Sequence, residues 1–190
     1  MITLNYFISD LHFGHQNVLK FDKRPFKSIE EHDAHLIKMW NNTVNIDDDV
    51  YILGDISWYN STKTIEIFKN LNGNKHLIKG NHDNKILRNA KLRELFVEIV
   101  DYKELSIDKN LIIVLSHYPI PCFNKRFYGS YHLYGHVHKT QDWTMMESTR
   151  KGLERLTKKP CLMYNVGAMM DYIYYKPRTL NEIIKGYKIY

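Results

Sequence analysis

Five short motifs of aspartate, asparagine and histidine carry the residue types that bind metal ions. They are Asp10-Leu11-His12, Gly54-Asp55, Gly80-Asn81-His82-Asp83, His117 and Gly135-His136-Val137-His138. Imidazole and carboxylate ligands together suit borderline transition ions such as Mn, Fe, Zn and Ni. Each motif alone is a weak signal, because Gly, Asn and Asp also form turns. Their occurrence together in this order indicates a metal-dependent site.

Each motif directly follows an apolar run that predicts a buried strand. The runs are YFIS, VYIL, HLIK, LIIVLS and YHLY in chain order. Since ligands in open α/β sheets bind beyond the carboxyl ends of the strands, we expect the five motifs to meet there. Asp10 and His12 are two residues apart, as are His136 and His138. We therefore expect each pair to project from one face of an extended segment.

The hydrophobic periodicity and the capping residues predict alternating strands and helices, followed mostly by strands. The predicted strands are Thr3–Ser9, Val50–Leu53, Leu77–Ile78, Leu111–Leu115, Tyr131–Tyr134 and Leu162–Asn165. The predicted helices run from the capping box Ser28–Glu31 to Asn42, over Ser61–Leu71, over Asn84–Leu95, and from the capping box Thr179–Glu182. This order predicts an α/β layered domain. No repeat or linker divides it, so we expect a single domain over residues 1–190.

The composition is typical of a globular protein without a membrane segment. Hydrophobic residues make up 44% of the 190 residues, and no apolar run is long enough to cross a bilayer. The absence of a signal peptide and of paired cysteine spacing predicts a cytoplasmic protein. The net charge of +6 favours phosphorylated substrates or nucleic acid as partners. Lysines spread along the chain are equally typical of general solubility.

The five motifs read D-x-H, GD, GNHD, H and GHxH, and this arrangement resembles the signature of the calcineurin-like metallophosphoesterases. Two longer stretches resemble a small bacterial and phage subgroup of single-domain members. They are SDLHFGHQNVLKF…RPF over Ser9–Phe26 and YGSYHLYGHVH over Tyr128–His138. The resemblance implies a metallophosphoesterase-like layered sandwich of two β-sheets flanked by helices.

The family pattern also implies two divalent metal ions and their ligands. The first ion would have the ligands Asp10, His12, Asp55 and His138. The second would have the ligands Asp55, Asn81, His117 and His136. The two ions would lie roughly 3.5–4 Å apart and share a hydroxide that attacks phosphorus in line. Manganese is the favoured metal, with Fe, Zn, Ni and Mg as alternatives, and His82 would assist the leaving group.

Asn81 is the neutral member of the implied ligand set. Two divalent ions bring four positive charges, and Asp10, Asp55 and the hydroxide remove three of them. The remaining positive charge would attract a phosphate anion. An aspartate at position 81 would cancel that charge.

Several residues near the motifs have two readings. His15 is expected beside the metal loop, in contact either with substrate or with a ligand. Arg24 is expected to bind a substrate phosphate, or else to lie on the surface. Asp83 is expected to cap the helix that follows it. The aromatic segment from Tyr118 to His132, together with Trp58 and Tyr59, is expected to border the site and either stack a base or shield the metals.

The implied activity is metal-dependent hydrolysis of a phosphoester, and by analogy of a phosphodiester. A phosphomonoesterase or a nuclease using the same site, and a non-catalytic metal-bound interaction scaffold, are the alternatives. The expected partner is a phosphorylated small molecule or nucleotide. Nucleic acid is less favoured, because no stripe of Lys and Arg with interleaved aromatics extends from the site. No membrane partner is expected, and the sequence indicates neither the natural substrate nor the oligomeric state.

Overall fold

The first of two β-sheets is built from strands at both ends of the chain. The computed structural model describes residues 3–109 and 111–187, so the first two and last three residues of the predicted domain lie outside the described residues. This sheet has the strands β1 (Asn5–Ile8), β2 (Asp49–Ile52), β3 (Asn74–Ile78), β4 (Glu98–Val100) and β9 (Arg178–Thr179). Their order is β4-β3-β2-β1-β9. The strands β1 to β4 are parallel, and β9 runs antiparallel to β1.

The second sheet comes from the middle of the chain. Its strands are β5 (Tyr102–Ser106), β6 (Ile112–Ser116), β7 (Tyr131–Tyr134) and β8 (Met163–Asn165), in sequential order. The pairs β6–β7 and β7–β8 are parallel, whereas β5 is antiparallel to β6. Just beyond the strand ends, Ser9 and Gly167 form a parallel bridge. This bridge ties the end of β1 to the chain that leaves β8.

One hydrophobic core joins the two sheets, and helices flank them. The helices are α1 (Val18–Phe21), α2 (Ile29–Asn41), α3 (Ser61–Lys69), α4 (Ala90–Arg93), α5 (Gln141–Thr157) and α6 (Leu180–Tyr187). Ile52 and Leu133, from different sheets, belong to the same buried cluster, together with Trp40 of α2 and Phe68 of α3. Met146 of α5 packs instead on a second cluster. The predicted sandwich of two sheets flanked by helices is confirmed.

Strand register brings the polar motifs to one level. Ile8 of β1 pairs with Ile52 of β2, which in turn pairs with Leu77 of β3. Each motif begins within three residues of its strand end, so the first three motifs emerge side by side. In the second sheet, Leu115 pairs with Leu133, which aligns the motifs that follow β6 and β7 in the same way. The expected convergence at the carboxyl ends of the strands is therefore what the fold produces.

The predicted strands and three of the four predicted helices are confirmed, with boundaries shifted by a few residues. The capping box at the last helix is complete, because the Thr179 N–H donates to Glu182 and the Glu182 N–H donates to the Thr179 hydroxyl. At α2 the Ser28 hydroxyl accepts from the Glu31 N–H, but the Glu31 carboxylate accepts from the Lys27 N–H instead.

The single helix predicted over Asn84–Leu95 is wrong. The segment holds a 3-10 turn over Ile86–Arg88 and then the four-residue helix α4. Asn89 separates them, because its backbone is extended and its side chain accepts from the Leu92 N–H. An asparagine used as an N-cap begins a new helix rather than continuing an old one.

The elements α1, β4, β5, α5 and β9 were not predicted from the sequence. The longest of these is α5, which begins after Thr140, whose hydroxyl accepts from the Asp142 N–H. The helix contains no fully buried residue. Its apolar periodicity is therefore weak, and the helical signal in the sequence is weak with it.

Candidate metal centre

The backbone turns sharply at five of the expected ligands. Asp10, His12, Asp55, His136 and His138 have φ angles of 55°, 53°, 55°, 68° and 46°. The expectation that the pairs Asp10/His12 and His136/His138 project from extended segments is therefore wrong. Non-glycine residues in this left-handed region cost of order 1–3 kcal/mol each, and such strain concentrates at functional sites. The strain accompanies loops that turn immediately beyond the strands and gather these side chains together.

A first cluster of donor atoms contains Asp10, His12 and His138. The Nε2 atoms of His12 and His138 lie 3.1 Å apart. The Asp10 Oδ1 atom lies 3.9 Å from the first of these nitrogens and 3.6 Å from the second. The Asp55 Oδ2 atom lies 3.9 Å from His12 Nε2. These four side chains are the ones that the family pattern assigns to the first ion.

A second cluster contains Asn81, His117 and His136. The Asn81 Oδ1 atom lies 2.9 Å from His117 Nε2 and 3.0 Å from His136 Nδ1. The other carboxylate oxygen of Asp55, Oδ1, lies 3.7 Å from His117 Nε2. Asp55 therefore turns one oxygen toward each cluster. Asp10 also lies within reach of Asp55 and His117, so the two clusters form one continuous centre.

The charges of the centre fit divalent cations. Asp10 and Asp55 are both buried. Burial raises the pKa of Asp55 to about 6, and the nearby Asp10 carboxylate acts in the same direction. Burial, assisted by Arg24, lowers the pKa of His12 well below its usual value, which leaves a neutral imidazole to act as a ligand. Two buried carboxylates beside neutral imidazoles form a set that cations would stabilise.

Hydrogen bonds orient two of the imidazoles. His117 donates from Nδ1 to the Leu53 carbonyl over 2.7 Å. His138 Nδ1 lies 2.7 Å from Asp22 Oδ1. Although burial alone would lower the pKa of His138, the Asp10 and Asp22 carboxylates raise it. Such bonds direct the opposite nitrogen, Nε2, toward a metal.

Comparison with known proteins decides the family. The family model "Calcineurin-like phosphoesterase" matches residues 6–140, which contain all five motifs. The chain belongs to this family. It is therefore a metal-dependent phosphoester hydrolase that acts on phosphorylated substrates, and the resemblance seen in the sequence is confirmed.

This phosphoesterase has relatives in archaea, phages and bacteria. It is 32% identical to the Methanocaldococcus jannaschii protein MJ1445 over 184 residues, which is 95% of this chain and 89% of the relative. It is 44% identical to the Gene 66 protein of Mycobacterium phage L5 over 82 residues, 41% of this chain and 39% of the phage protein. The Aquifex aeolicus protein AQ665 has a similar structure, with a TM-score of 0.71, 27% identity and coverage of 97% of this chain and 99% of that one. None of the described helices is both long enough and apolar enough to cross a membrane.

Arg24 does not occupy the position expected for a phosphate contact. Its side chain is fully buried and pairs with Asp22, with Nη2 2.8 Å from Oδ2. It also donates to the backbone carbonyls of Leu11 and Asp10 and to His32 Nε2. The Arg24 guanidinium therefore holds the first motif and Asp22 in place, and it is not available to substrate.

Asp83 has a structural role different from the expected helix cap. Its buried carboxylate accepts hydrogen bonds from the backbone N–H groups of Asp55, Ile56 and Gly80. It thereby fastens the loop after β2 to the loop after β3. The loops approach so closely that a Cβ at Gly80 would lie 2.2 Å from the Asp55 Oδ1 atom. A glycine is therefore required at position 80.

His82 borders the centre without joining either donor cluster. Its side chain is 51% exposed, and its Nε2 atom lies 4.0 Å from Asp55 Oδ2. The backbone N–H of His82 donates to the other oxygen of Asp55 over 3.0 Å. The ring lies against Trp58, with 4.5 Å between the centroids. The position leaves the imidazole free to meet a substrate.

Aromatic rings border the centre on both sides. The His15 imidazole stacks on the Trp58 indole at 4.0 Å with 2° between the planes, and its ring lies 5.4 Å from that of His12. The structure thus places His15 beside His12, and its contact with substrate stays a prediction. Tyr118 is half-exposed, and its ring centroid lies 4.4 Å from that of His136.

The residues that the sequence analysis missed are those behind the ligands, chiefly Asp22. No motif signals it, because its partner His138 lies 116 residues away in the chain. Asp83 was recognised within GNHD but was given a local role. Its true partners also include a loop 27 and 28 residues away.

Proposed function

We propose that this phosphoesterase hydrolyses phosphodiesters at a centre of two divalent ions, of which manganese is the favoured identity. The observation that carries the proposal is the orientation of Asp55. Its Oδ2 atom faces His12 and its Oδ1 atom faces His117, so one carboxylate serves both donor clusters. Asp10, His12 and His138 would hold the first ion, and Asn81, His117 and His136 the second.

The ions, when bound, would supply a nucleophilic water at neutral pH and neutralise charge on the phosphoryl oxygens. The protein's own residues set the conditions for that chemistry. The burial of Asp10, Asp55 and His117 keeps bulk water from the inner side of the centre. Asn81 contributes a neutral oxygen, which preserves an excess of positive charge to attract the substrate anion.

His82 would hold a proton at Nε2 and donate it to the oxygen of the leaving group. Two observations support this role. The imidazole lies outside both donor clusters, and half of its side chain is open to a substrate. General acid catalysis of this kind contributes about 10²- to 10⁴-fold to the rate.

The test is hydrolysis of bis-p-nitrophenyl phosphate by the wild-type protein with added Mn²⁺, alongside p-nitrophenyl phosphate as the monoester. We expect turnover of the diester to exceed that of the monoester. The variant Asp55→Asn should lose both the activity and bound metal, measured by elemental analysis. The variant Asp101→Asn is a matched control, because Asp101 is exposed and, within the described part of the chain, its ion pair is with Lys79.

Three outcomes would contradict the proposal. Preference for the monoester would indicate a phosphomonoesterase. Full activity of Asp55→Asn would show that the carboxylate does not serve the centre. Two bound metal ions without turnover of any phosphoester, for every divalent metal tried, would indicate a non-catalytic scaffold.

A further inference from the structure

A cavity of about 920 Å³ adjoins the metal centre. Its lining includes Asn81 and His82 of the four-residue motif GNHD. It also includes Lys85 and Arg88, which follow the motif in the chain. Small-molecule sites span roughly 300–1,000 Å³. The cavity is therefore much larger than a single phosphoryl group requires, and it is large enough for a nucleotide-sized group.

The cavity is positively charged. Its lining consists of Ser57, Trp58, Tyr59, Asn60, Ser61, Asn81, His82, Asn84, Lys85 and Arg88, a set without a carboxylate. Lys85 and Arg88 are both exposed. Over residues 3–109 and 111–187, neither side chain forms an ion pair, whereas Lys63 and Lys79 nearby do. Two unpaired cations on one cavity wall favour an anionic ligand, and a guanidinium suits phosphate in particular.

The aromatic wall of the cavity is held in place. The Tyr59 ring packs against Gly14 so closely that a Cβ there would lie 2.7 Å from it. Burial raises the pKa of Tyr59 to about 12, and the Asp33 carboxylate acts in the same direction. Trp58 is fixed by its stack on His15. A preformed apolar wall beside two cations suits a group that carries both a flat ring and a phosphate.

The position of His82 indicates how a substrate would be oriented in the cavity. If His82 donates its proton to the leaving-group oxygen, that oxygen lies next to the cavity that His82 lines. The leaving group then extends toward Lys85 and Arg88. We propose that the leaving group of the substrate carries a second phosphate, which these two residues bind. This inference rests on the proposed function, and it names the substrate class as a phosphodiester or phosphoanhydride whose leaving group is itself a nucleotide.

The experiment compares kcat/KM for substrates that differ in that second phosphate. TpT lacks it, pTpT and TpTp add it at either end, and diadenosine diphosphate has a leaving group that is a nucleoside monophosphate. The dinucleotides represent an oligonucleotide source, and the last compound represents a nucleoside oligophosphate source. We expect the wild-type protein to prefer at least one of the three over TpT by about 10- to 100-fold.

The double variant Lys85→Gln/Arg88→Gln should bring a preference for pTpT or TpTp close to one. For diadenosine diphosphate, which keeps the intrinsic advantage of a better leaving group, kcat/KM relative to TpT should fall by about 10- to 100-fold from the wild-type ratio. The variant Lys38→Gln/Lys69→Gln removes the same two charges from exposed positions on α2 and α3 and should keep the preference. Absence of any preference in the wild-type protein, or its persistence in Lys85→Gln/Arg88→Gln, would overturn the inference. If the protein still hydrolyses bis-p-nitrophenyl phosphate in either of these two cases, the proposed function stands and only the inference about the second phosphate has failed. No turnover of any phosphoester would remove the proposed function and the inference together.

Discussion

At the scale of single residues, neighbours in the chain have separate tasks. Asn81 offers an oxygen to His117 and His136, whereas His82 contacts neither donor cluster through a short side-chain bond. Asp83 is turned away from the centre and binds three backbone N–H groups. One four-residue motif therefore contains a candidate ligand, a candidate proton donor and a structural clamp.

The variant Asn81→Asp should weaken the binding of inorganic phosphate by about tenfold or more, because the added negative charge cancels the excess positive charge of the loaded centre. The measurement is the inhibition constant of phosphate, with metal content determined on the same samples. If Asn81→Asp carries two metal ions and binds phosphate as tightly as the wild-type protein, the charge argument is wrong.

The variant His82→Gln should keep its metal ions and lose about 10²- to 10⁴-fold in kcat for a substrate with a poor leaving group. The loss should be smaller for p-nitrophenol esters, because that leaving group needs little protonation. The measurement is kcat for a series of diesters with leaving groups of increasing pKa. An equal loss across the series would argue against proton donation.

At the scale of elements, remote segments support the ligand loops. Asp22 follows α1 and reaches His138, which follows β7. Arg24 pairs with Asp22 and donates to the Asp10 carbonyl. Behind Arg24, His32 of α2 accepts from the guanidinium and in turn donates to Asp33. This buried network connects two helices to loops that leave both sheets.

The variant Asp22→Asn should lower metal affinity by about 10- to 100-fold, because it weakens the hydrogen bond that orients His138. The measurement is a titration of the metal-free protein with Mn²⁺. The variant Asp101→Asn serves as a control, since Asp101 is exposed and its described ion pair is with Lys79. Unchanged affinity in Asp22→Asn would show that the network acts only on stability.

His132 should make folding stability depend on pH. Its Nδ1 donates to the Val114 carbonyl and its Nε2 accepts from the Ile120 N–H. Burial lowers the pKa of His132 from 6.5 to about 4. The unfolded chain therefore takes up this proton first. The stabilisation is complete above pH 6.5 and decreases by up to about 1.4 kcal/mol per pH unit between pH 6.5 and 4.

The measurement is the free energy of urea unfolding against pH for the wild-type protein and for His132→Gln. Glutamine can donate and accept hydrogen bonds but does not titrate. All other titrating groups are the same in the two proteins, so the difference between their curves reports His132. The wild-type protein should lose stability more steeply than the variant as the pH falls from 6.5. Parallel curves would show that His132 does not contribute.

At the scale of the whole molecule, the centre exists only where the two sheets meet. Asp10, Asp55 and Asn81 leave the first sheet, whereas His117, His136 and His138 leave the second. The shared core holds the strands in position, and the bridge between Ser9 and Gly167 joins the sheets just beneath the loops. Metal binding and folding are therefore coupled, because the unfolded chain does not hold these donors together.

Removal of metal with EDTA should lower the melting temperature of the wild-type protein. A metal concentration 100 times the dissociation constant stabilises the folded state by about 2.7 kcal/mol. The measurement is thermal unfolding with Mn²⁺ and with EDTA, for the wild-type protein and for Asp55→Asn. The shift should be strongly reduced in the variant. An equal shift in both proteins would indicate that the metal acts elsewhere.

Much of the fold follows from local patterns, and the misses have two different causes, one local and one tertiary. The strands before the motifs are short apolar runs, and such runs are recognisable wherever they occur. The helix predicted over Asn84–Leu95 failed because Asn89 begins a new helix rather than continuing one. Arg24 was expected to contact a phosphate, and only its fully buried position shows otherwise.

The sequence by itself determined the candidate donor residues, the strand that precedes each of them and the family. These depend on residue type and on spacing over a few residues, which a single chain displays directly. Only the tertiary structure decided that Asp22, Arg24 and Asp83 support the loops, that five of the candidate ligands lie in left-handed turns, and that Lys85 and Arg88 face a cavity beside His82. Burial and the identity of a distant partner are set by packing between segments far apart in the chain, and no local pattern encodes them.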